Sequence, residues 1–158
     1  MSIRKKKLEW VKMMGNLEIR LVKKSEFEEL KIYEIPSGTE VFDWTIPKEW
    51  NIRGAYIENS EGERIIDFEN NNLHVMGYSL PMDEILSLDE MKKIIYTQTE
   101  QPDVIPYVTS YYKERSGFCM SEEQKNSLKQ GVYHCVIDSD LREGSLTYGE
   151  IIIPGKTE

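Results

Sequence analysis

The chain is 158 residues long, the size of one ordinary domain or of one domain with a short appendage. Its hydrophobic content of 39% is enough for a core and argues against global disorder. No apolar run approaches the ~18–20 residues of a membrane-spanning helix, and no signal-peptide pattern follows the basic N-terminus. We therefore expect a cytoplasmic protein without a membrane partner.

The charge is unevenly distributed along the chain. Residues 1–24 contain eight Lys or Arg and two Glu, a net charge of +6, so the remainder must carry −14 to give the total of −8. An acidic body repels phosphate backbones, which argues against a nucleic-acid partner. The basic N-terminus is typical of a solvated helix face, with contact to an acidic partner or to RNA as the alternative.

The first 52 residues divide into two predicted segments. Residues 3–14 place apolar side chains on one helical face, which predicts a helix in a basic, divergent segment 1–29; residues 17–22 favour a short strand or a poorly formed helix. Residues 30–35 predict a strand, and residues 37–52 then carry Trp44 and Trp50 without a regular period. We interpret 30–52 as a strand and an aromatic crossover between two structural units, with an aromatic ligand platform as the alternative.

Residues 53–158 are predicted to be mostly β. Residues 55–57 and 64–68 flank a turn in which Gly62 can adopt a positive φ, and residues 73–79 predict a third strand of an antiparallel meander. Ser87 and Ser121 each begin a capping-box pattern for a short helix, the first expected to reach about Thr97. Strands at 132–138 and 146–153 are expected to form a hairpin-like pair. The predicted fold class is α+β, mostly antiparallel, with two or three short helices.

The candidate metal ligands and nucleophiles show no recognised spacing. His74, His134, Cys119 and Cys135 form no C-x-x-C, H-x-x-x-H or H-E-x-x-H pattern. His134 and Cys135 are neighbours on a predicted strand, so their side chains should point to opposite faces. Cys119 precedes a helix N-terminus, which can lower a thiol pKa; a buried structural thiol is the alternative.

Residues 107–118 are the surface that best suits a ligand. Tyrosines alternate there with hydroxyl groups and a guanidinium, a mixture typical of recognition of a polar small molecule or a peptide terminus. The alternative is a half-buried strand whose tyrosines are structural. The candidate cleft residues are Tyr107, Ser110, Tyr112, Arg115 and Cys119.

Six runs, in chain order, resemble one family: SGTEVFDWTIPKEWNI, AYI, NLHVMGYS, IPYVTSYY, GFC and LTYGEIIIPG. They are similar to a group of bacterial aminopeptidase-like proteins that include a domain of unknown function. The resemblance covers about residues 30–155. It implies three parts: a zinc aminopeptidase-type α/β domain, a β-rich domain inserted early in it, and a C-terminal winged helix.

The resemblance assigns no catalytic residue to this chain. In the family, the metal-binding histidine and aspartate follow the strand that resembles GEIIIPG, and the sequence ends at Glu158 before such segments. Zinc is therefore expected only in full-length members. The chain is expected to be inactive alone, as a non-catalytic accessory domain that shapes the substrate cleft of a catalytic domain in cis or in trans.

Two other functions stay open from the sequence. The chain can be a stand-alone interaction module that pairs with a separately encoded catalytic part, or an enzyme that uses Cys119 as nucleophile. The second alternative requires an exposed thiol and a histidine side chain within hydrogen-bond reach. If the last strand belongs to a sheet completed by absent sequence, its open edge is also a route to self-association.

Overall fold

The structure is a computed structural model that describes residues 10–13, 17–20 and 30–151. The chain divides into two compact units, one up to Glu49 and from Arg142 onward, the other Trp50–Leu141. The boundary after Glu49 lies within the predicted crossover 37–52. The last described strand belongs to the first unit, because it pairs there with the strand that begins at Lys31. The predicted ranges 1–29, 30–52 and 53–158 stay predictions.

Twelve strands and two α-helices are described. The strands are β1 Trp10–Met13, β2 Leu17–Arg20, β3 Lys31–Pro36, β4 Glu40–Val41, β5 Trp44–Thr45, β6 Glu49–Asn59, β7 Arg64–Asp67, β8 Met82–Ser87, β9 Ile95–Tyr96, β10 Phe118–Cys119, β11 Val132–Arg142 and β12 Ser145–Glu150. The helices are α1 Leu88–Met91 and α2 Glu122–Ser127. The mostly antiparallel α+β class predicted from the sequence is confirmed.

The second unit is organised by a four-stranded sheet of order β7-β6-β11-β8. β6 and β7 pair antiparallel across the predicted turn, and Gly62 there has a φ of 81°, as expected. β8 pairs antiparallel with β11, from Val132 opposite Ser87 to Ile137 opposite Met82. In a simple meander the third consecutive strand would pair with β7, whereas here β6 lies between β7 and the distant strand β11.

Alternation along β11 separates the two faces of this sheet. Tyr133, Cys135, Ile137 and Ser139 are buried, whereas the residues between them are half-buried or exposed. The buried face packs on aliphatic, aromatic and sulfur-containing side chains, which form the core by burial of apolar surface. The largest fully buried members are Phe118, Ile57, Ile66, Met76, Met91, Met120 and Ile137.

Both predicted capping boxes are present, but the helices are short. Ser87 accepts a hydrogen bond from the Glu90 amide, and Ser121 accepts one from the Gln124 amide. α1 continues as a 3-10 turn at Lys92–Ile94 and gives way to β9, which pairs parallel with β10. The helix predicted to reach Thr97 therefore ends early, because Ile95 and Tyr96 join strand pairing.

The first unit contains three described two-stranded pairs. β1 pairs with β2, β3 with β12, and β4 with β5, all antiparallel. The predicted helix over 3–14 is wrong at Trp10–Met13, which form a strand, and its remaining residues lie outside the described part. Pairing with Leu17–Arg20 overrides the helical spacing of apolar residues, and the strand option for 17–22 is confirmed at those four positions.

Two further predictions of local structure are wrong. The expected strand at 73–79 is a 3-10 turn at Asn72–His74 followed by isolated bridges, with Tyr78 at a φ of 66°. The expected hairpin of the last two strands does not form, since β11 and β12 belong to different sheets. Among the described residues, no helix is long and apolar enough to cross a membrane.

Candidate functional site

The candidate surface is the connection between β9 and β10, which carries the predicted residues 107–118. Tyr107 and Tyr112 extend from it with 73% and 81% of their side chains exposed. The segment is mostly irregular, and the predicted half-buried strand is reduced to one bridge between Gly77 and Thr109. This surface is therefore a loop that presents tyrosines, rather than the face of a sheet.

A series of aromatic rings runs from the core to this loop. Trp50 stacks on Tyr78 with ring centroids 6.0 Å apart, and Tyr78 contacts Tyr111 at 4.5 Å. Tyr111 then contacts Tyr112 at 6.3 Å. Trp50 and Tyr78 are both buried, Tyr111 is 37% exposed and Tyr112 is 81% exposed. The exposed ring is thus supported by rings that are fixed in the core, which lowers the conformational entropy that a ligand contact would cost.

Backbone hydrogen bonds hold the loop against residue 77. The Gly77 amide donates to the Val108 carbonyl at 2.8 Å, and the Ser110 amide donates to the Gly77 carbonyl at 2.9 Å. A Cβ at Gly77 would lie 3.2 Å from Thr109 Oγ1, so the close approach favours glycine here. These contacts fix the loop immediately before its exposed tip.

Ser110 and Arg115 have structural contacts at the base of the loop. The Ser110 hydroxyl donates to the Lys113 carbonyl, and Arg115 Nε donates to Ser110 Oγ at 3.3 Å. The Arg115 guanidinium also lies 5.5 Å from the centroid of the Tyr96 ring, within cation–π range. Ser110 is buried, so it positions the loop, whereas Arg115 and the tyrosines reach solvent.

Cys119 lies in the core, on β10, and has no exposed surface. Burial raises the pKa of its thiol to about 11, which keeps it protonated near neutral pH. The nearby histidine does not activate it, because His74 Nδ1 donates to the Cys119 backbone carbonyl at 2.8 Å. The thiol therefore lacks the exposure that a nucleophile requires, and Cys119 is a core residue rather than a surface one.

The other predicted ligands are separated. His134 contacts Asp83, with Nε2 2.6 Å from Oδ1, and packs edge-on against Tyr56 on the outer face of the sheet. Cys135 is fully buried on the opposite face, as the strand alternation predicts. No group of three or more His, Cys, Asp or Glu among the described residues could hold a metal ion. The described residues therefore do not fit a zinc site.

The carboxylates near the end of β11 are paired with cations. Arg53 binds Asp138 and also Asp140, whose Oδ2 is 2.5 Å from Nη1. This guanidinium lowers the pKa of Asp138 below its usual value. Glu143 forms a separate ion pair with Lys48 at 3.0 Å. These three acids are engaged in ion pairs, as expected for strand and turn carboxylates rather than for a catalytic pair.

One open crevice of about 350 Å³ lies away from the tyrosine loop. It is formed by residues 59–61 of the β6–β7 turn and by residues 127–133 between α2 and β11. None of the predicted cleft residues lines it. The sequence did not single out this crevice, because its walls come from two turns distant in the chain.

The roles of Trp50 and Tyr78 beneath the loop were also not predicted from the sequence. Trp50 donates its indole N–H to the Ser79 carbonyl, and Tyr78 carries the stacking contact from Trp50 to Tyr111. The predicted strand at 73–79 concealed the left-handed conformation of Tyr78. The run Gly77-Tyr78-Ser79 was the available signal, since glycine within an apparent strand often marks an irregularity.

A known protein and a crystal structure, both from one bacterium, are similar in sequence to most of this chain. A protein of Clostridium acetobutylicum described as "Putative polysaccharide biosynthesis protein with aminopeptidase-like domain" is 54% identical over 129 residues, which cover 82% of this chain and 30% of that protein. A crystal structure of a "putative peptidase" from Clostridium acetobutylicum matches with a TM-score of 0.73 and 54% identity, covering 77% of this chain and 29% of the other. The chain thus spans less than a third of the relatives' length.

The family model that matches is described as "Domain of unknown function (DUF2172)" and covers residues 49–140. Its bounds are close to those of the second unit, Trp50–Leu141, which contains the four-stranded sheet and the tyrosine loop. The match extends over more than half of the chain. The chain belongs to the DUF2172 family and is similar to the matching part of aminopeptidase-like proteins.

Proposed function

We propose that the chain is a non-catalytic accessory domain of an aminopeptidase-like protein, and that the loop with Tyr107 and Tyr112 faces the substrate. The observation that carries the proposal is the series of rings from Trp50 to Tyr112, which supports exposed aromatic surface on a loop fixed by hydrogen bonds. Residues with this exposure contribute little to folding, so a contact with a ligand explains them better.

The chemistry of the loop suits a substrate with apolar and polar parts. Tyr107 and Tyr112 offer ring faces and hydroxyl groups, and Arg115 adds a positive charge near the base of the loop. Lys113 and Glu114, both exposed, flank the same tip. A peptide or amine-bearing substrate could pack on the rings while its polar groups bind the charged side chains. We place Cys119 outside this surface because it is buried.

Catalysis is assigned to the remaining part of the full-length protein. The described residues hold no cluster of metal ligands, and both thiols are buried. The relative's aminopeptidase-like domain supports a hydrolytic partner, in cis or in trans. A stand-alone interaction module that binds a separately encoded catalytic part stays the alternative, and the same loop would then face that partner's substrate.

The first test is hydrolysis of aminoacyl-nitroanilides by the purified 158-residue chain in the presence of zinc. We expect no turnover above that of a buffer control. Robust turnover that a chelator abolishes would contradict the accessory role.

The second test uses a full-length chimera, in which this chain replaces the matching segment of the Clostridium acetobutylicum protein. Tyr107→Ala and Tyr112→Ala should each change kcat/KM about 2–10-fold, mostly through KM, because a ring contact of this kind contributes about 0.5–1.5 kcal/mol. Ile85→Thr is the control, since Ile85 is exposed on β8 and lies outside the loop. Unchanged KM in both tyrosine variants, with an active chimera, would reject the cleft role.

A further inference from the structure

The hairpin of β4 and β5 in the first unit presents one phenylalanine at its tip. Val41 pairs with Trp44, so Phe42 and Asp43 form a two-residue turn. The Phe42 side chain is fully exposed, and its φ is 55°. Among the described residues outside glycine, only Tyr78 shares a positive φ, and Tyr78 is buried. Phe42 therefore combines backbone strain with complete exposure.

Neither feature helps the hairpin to fold. A positive φ at the first position of a two-residue hairpin turn is normally taken by Gly, Asn or Asp, because a bulky side chain is disfavoured there. In the turn that precedes β4, the positive φ of 83° is taken by a glycine, Gly38. A wholly exposed ring also gains no burial. An aromatic side chain held in this conformation is better explained by a contact outside the described chain.

The base of the hairpin is fixed, so the ring is held in a defined place. The Gly38 amide donates to the Ile46 carbonyl at 2.8 Å, and the Ile46 amide donates to the Thr39 carbonyl at 2.9 Å. Ile46 is only 2% exposed and anchors the second strand. A fixed element that carries an exposed aromatic side chain has the features of an interface anchor, which loses little entropy on binding.

The charge near the tip indicates the kind of surface that binds it. Asp43 follows Phe42 in the turn and Glu40 lies two residues before it on β4, and neither forms an ion pair with any other residue that the structure describes. Two free carboxylates beside an apolar ring fit a pocket that is apolar inside and basic at the rim. They disfavour insertion into an anionic lipid surface, which would repel them.

We propose that the β4–β5 hairpin docks Phe42 into an apolar pocket with a basic rim on the remaining part of the full-length protein. The inference rests on the proposed function, which supplies that partner. The relative is more than three times as long as the matched segment, since the match covers 30% of it, so a large protein surface exists for the hairpin to bind. Phe42 is the anchor, and Glu40 and Asp43 select the basic rim.

The test introduces a single trifluoromethyl-phenylalanine at position 42, in the free chain and in the full-length chimera described above. In the free chain, we expect a sharp fluorine resonance with a full solvent isotope shift, as for an exposed ring. In the chimera, the resonance should broaden and lose most of that shift. A resonance that stays solvent-exposed in the folded chimera overturns the proposal.

Two variants separate docking from folding. Phe42→Gly and Phe42→Asn relieve the backbone strain, so the free chain should keep its melting temperature or gain about 1–3 °C. In the chimera, the same variants should lower the melting temperature of this domain by about 3 °C or more. Ile85→Thr should lower it no more in the chimera than in the free chain. Equal effects of the Phe42 variants in both forms would overturn the proposal.

If the chimera does not fold, the same two segments are co-expressed as separate chains. The wild-type chain should co-purify with the partner segment, and Phe42→Gly should weaken that association about tenfold. Absence of the wild-type complex overturns docking.

Binding of the free chain to phosphatidylserine vesicles through Phe42 would also overturn docking, in favour of a membrane contact. The two proposals can fail separately. If the Tyr107 and Tyr112 variants alter KM while Phe42 stays exposed in the chimera, the docking is rejected and the accessory function is kept.

Discussion

The indole Nε1 of Trp50 donates a 2.8 Å hydrogen bond to the carbonyl oxygen of Ser79. The same oxygen accepts a 2.7 Å hydrogen bond from Ser139 Oγ, while Ser79 Oγ donates to the Met76 carbonyl and accepts from the Gly117 amide. Ser79 is fully buried. Ser79 therefore joins β6, β11 and the residue before β10 through buried hydrogen bonds within the second unit.

Trp50→Ala should destabilise the chain strongly, by about 3–5 kcal/mol, because it removes a buried ring and its hydrogen bond. Trp44→Ala should cost less, about 1–3 kcal/mol, since Trp44 is only half-buried. Urea denaturation of both variants measures the difference. Equal losses would mean that burial does not distinguish the two tryptophans.

Gly117→Ala should destabilise the chain by about 1–3 kcal/mol through overpacking. A Cβ at this position would lie 2.6 Å from Tyr96 Cε2 and 3.1 Å from the Ile94 carbonyl oxygen. Tyr96→Leu removes the closer obstacle and should recover part of the loss in a double variant. The measurement is a double-mutant cycle by thermal or urea unfolding. Strict additivity of the two changes would show that the ring is not the obstacle.

The two cysteines should be unreactive in the folded chain. Burial raises the pKa of both thiols to about 11, from an ordinary value of 9.0. A thiol reagent at pH 8 should therefore modify Cys119 and Cys135 only at the rate of unfolding, and both rapidly in 8 M urea. Prompt labelling of either thiol under native conditions would contradict its burial.

The raised thiol pKa values also predict that the stability of the folded chain falls as the pH rises. Because the folded-state pKa is raised, the unfolded chain loses these thiol protons first as the pH rises. The stability linked to the thiols is complete below about pH 9 and is lost between about pH 9 and 11. A Cys119→Ala, Cys135→Ala double variant provides the comparison: it should show a smaller decline over this range, measured by urea unfolding at each pH.

The pKa of Asp138 should depend on Arg53. The guanidinium hydrogen bond lowers this pKa, so the linked stability is present above the ordinary carboxyl pKa of 3.8 and is lost as the pH falls through the lower folded-state value. Arg53→Met should return the pKa of Asp138 toward its ordinary value, as measured by carbon-13 NMR of the side-chain carboxyl. Lys48→Met, at the separate Glu143 pair, is the matched control and should leave Asp138 unchanged.

Local signals in the sequence predicted the elements that depend on adjacent residues. The β6–β7 hairpin followed from its turn, and both helix starts followed from serine capping boxes, because these contacts lie within a few residues of one another. The lengths of the helices could not be predicted from these local patterns. Ile95 belongs to the apolar stripe predicted for α1, yet its backbone pairs with Phe118, a partner 23 positions later.

The candidate site was predicted only in part. The exposed tyrosines of residues 107–112 were recognisable from composition, whereas the support beneath Tyr112 comes from Tyr78 and Trp50, distant in the sequence. Cys119 illustrates the opposite outcome. Its position before a helix start left a reactive thiol open beside the structural thiol that the sequence favoured, and its complete burial distinguishes the two.

The sequence by itself determined the α+β class, the hairpin turn at Gly62, the helix caps and the acidic character of the body, since these depend on composition and on neighbouring residues. The tertiary structure alone decided that β11 lies beside β6, that β12 pairs with β3, and that Trp50, Tyr78, Tyr111 and Tyr112 form one series of contacts. The physical reason is that strand order and ring stacking join residues far apart in the chain, and the free energy of these contacts comes from shared burial that no local pattern records.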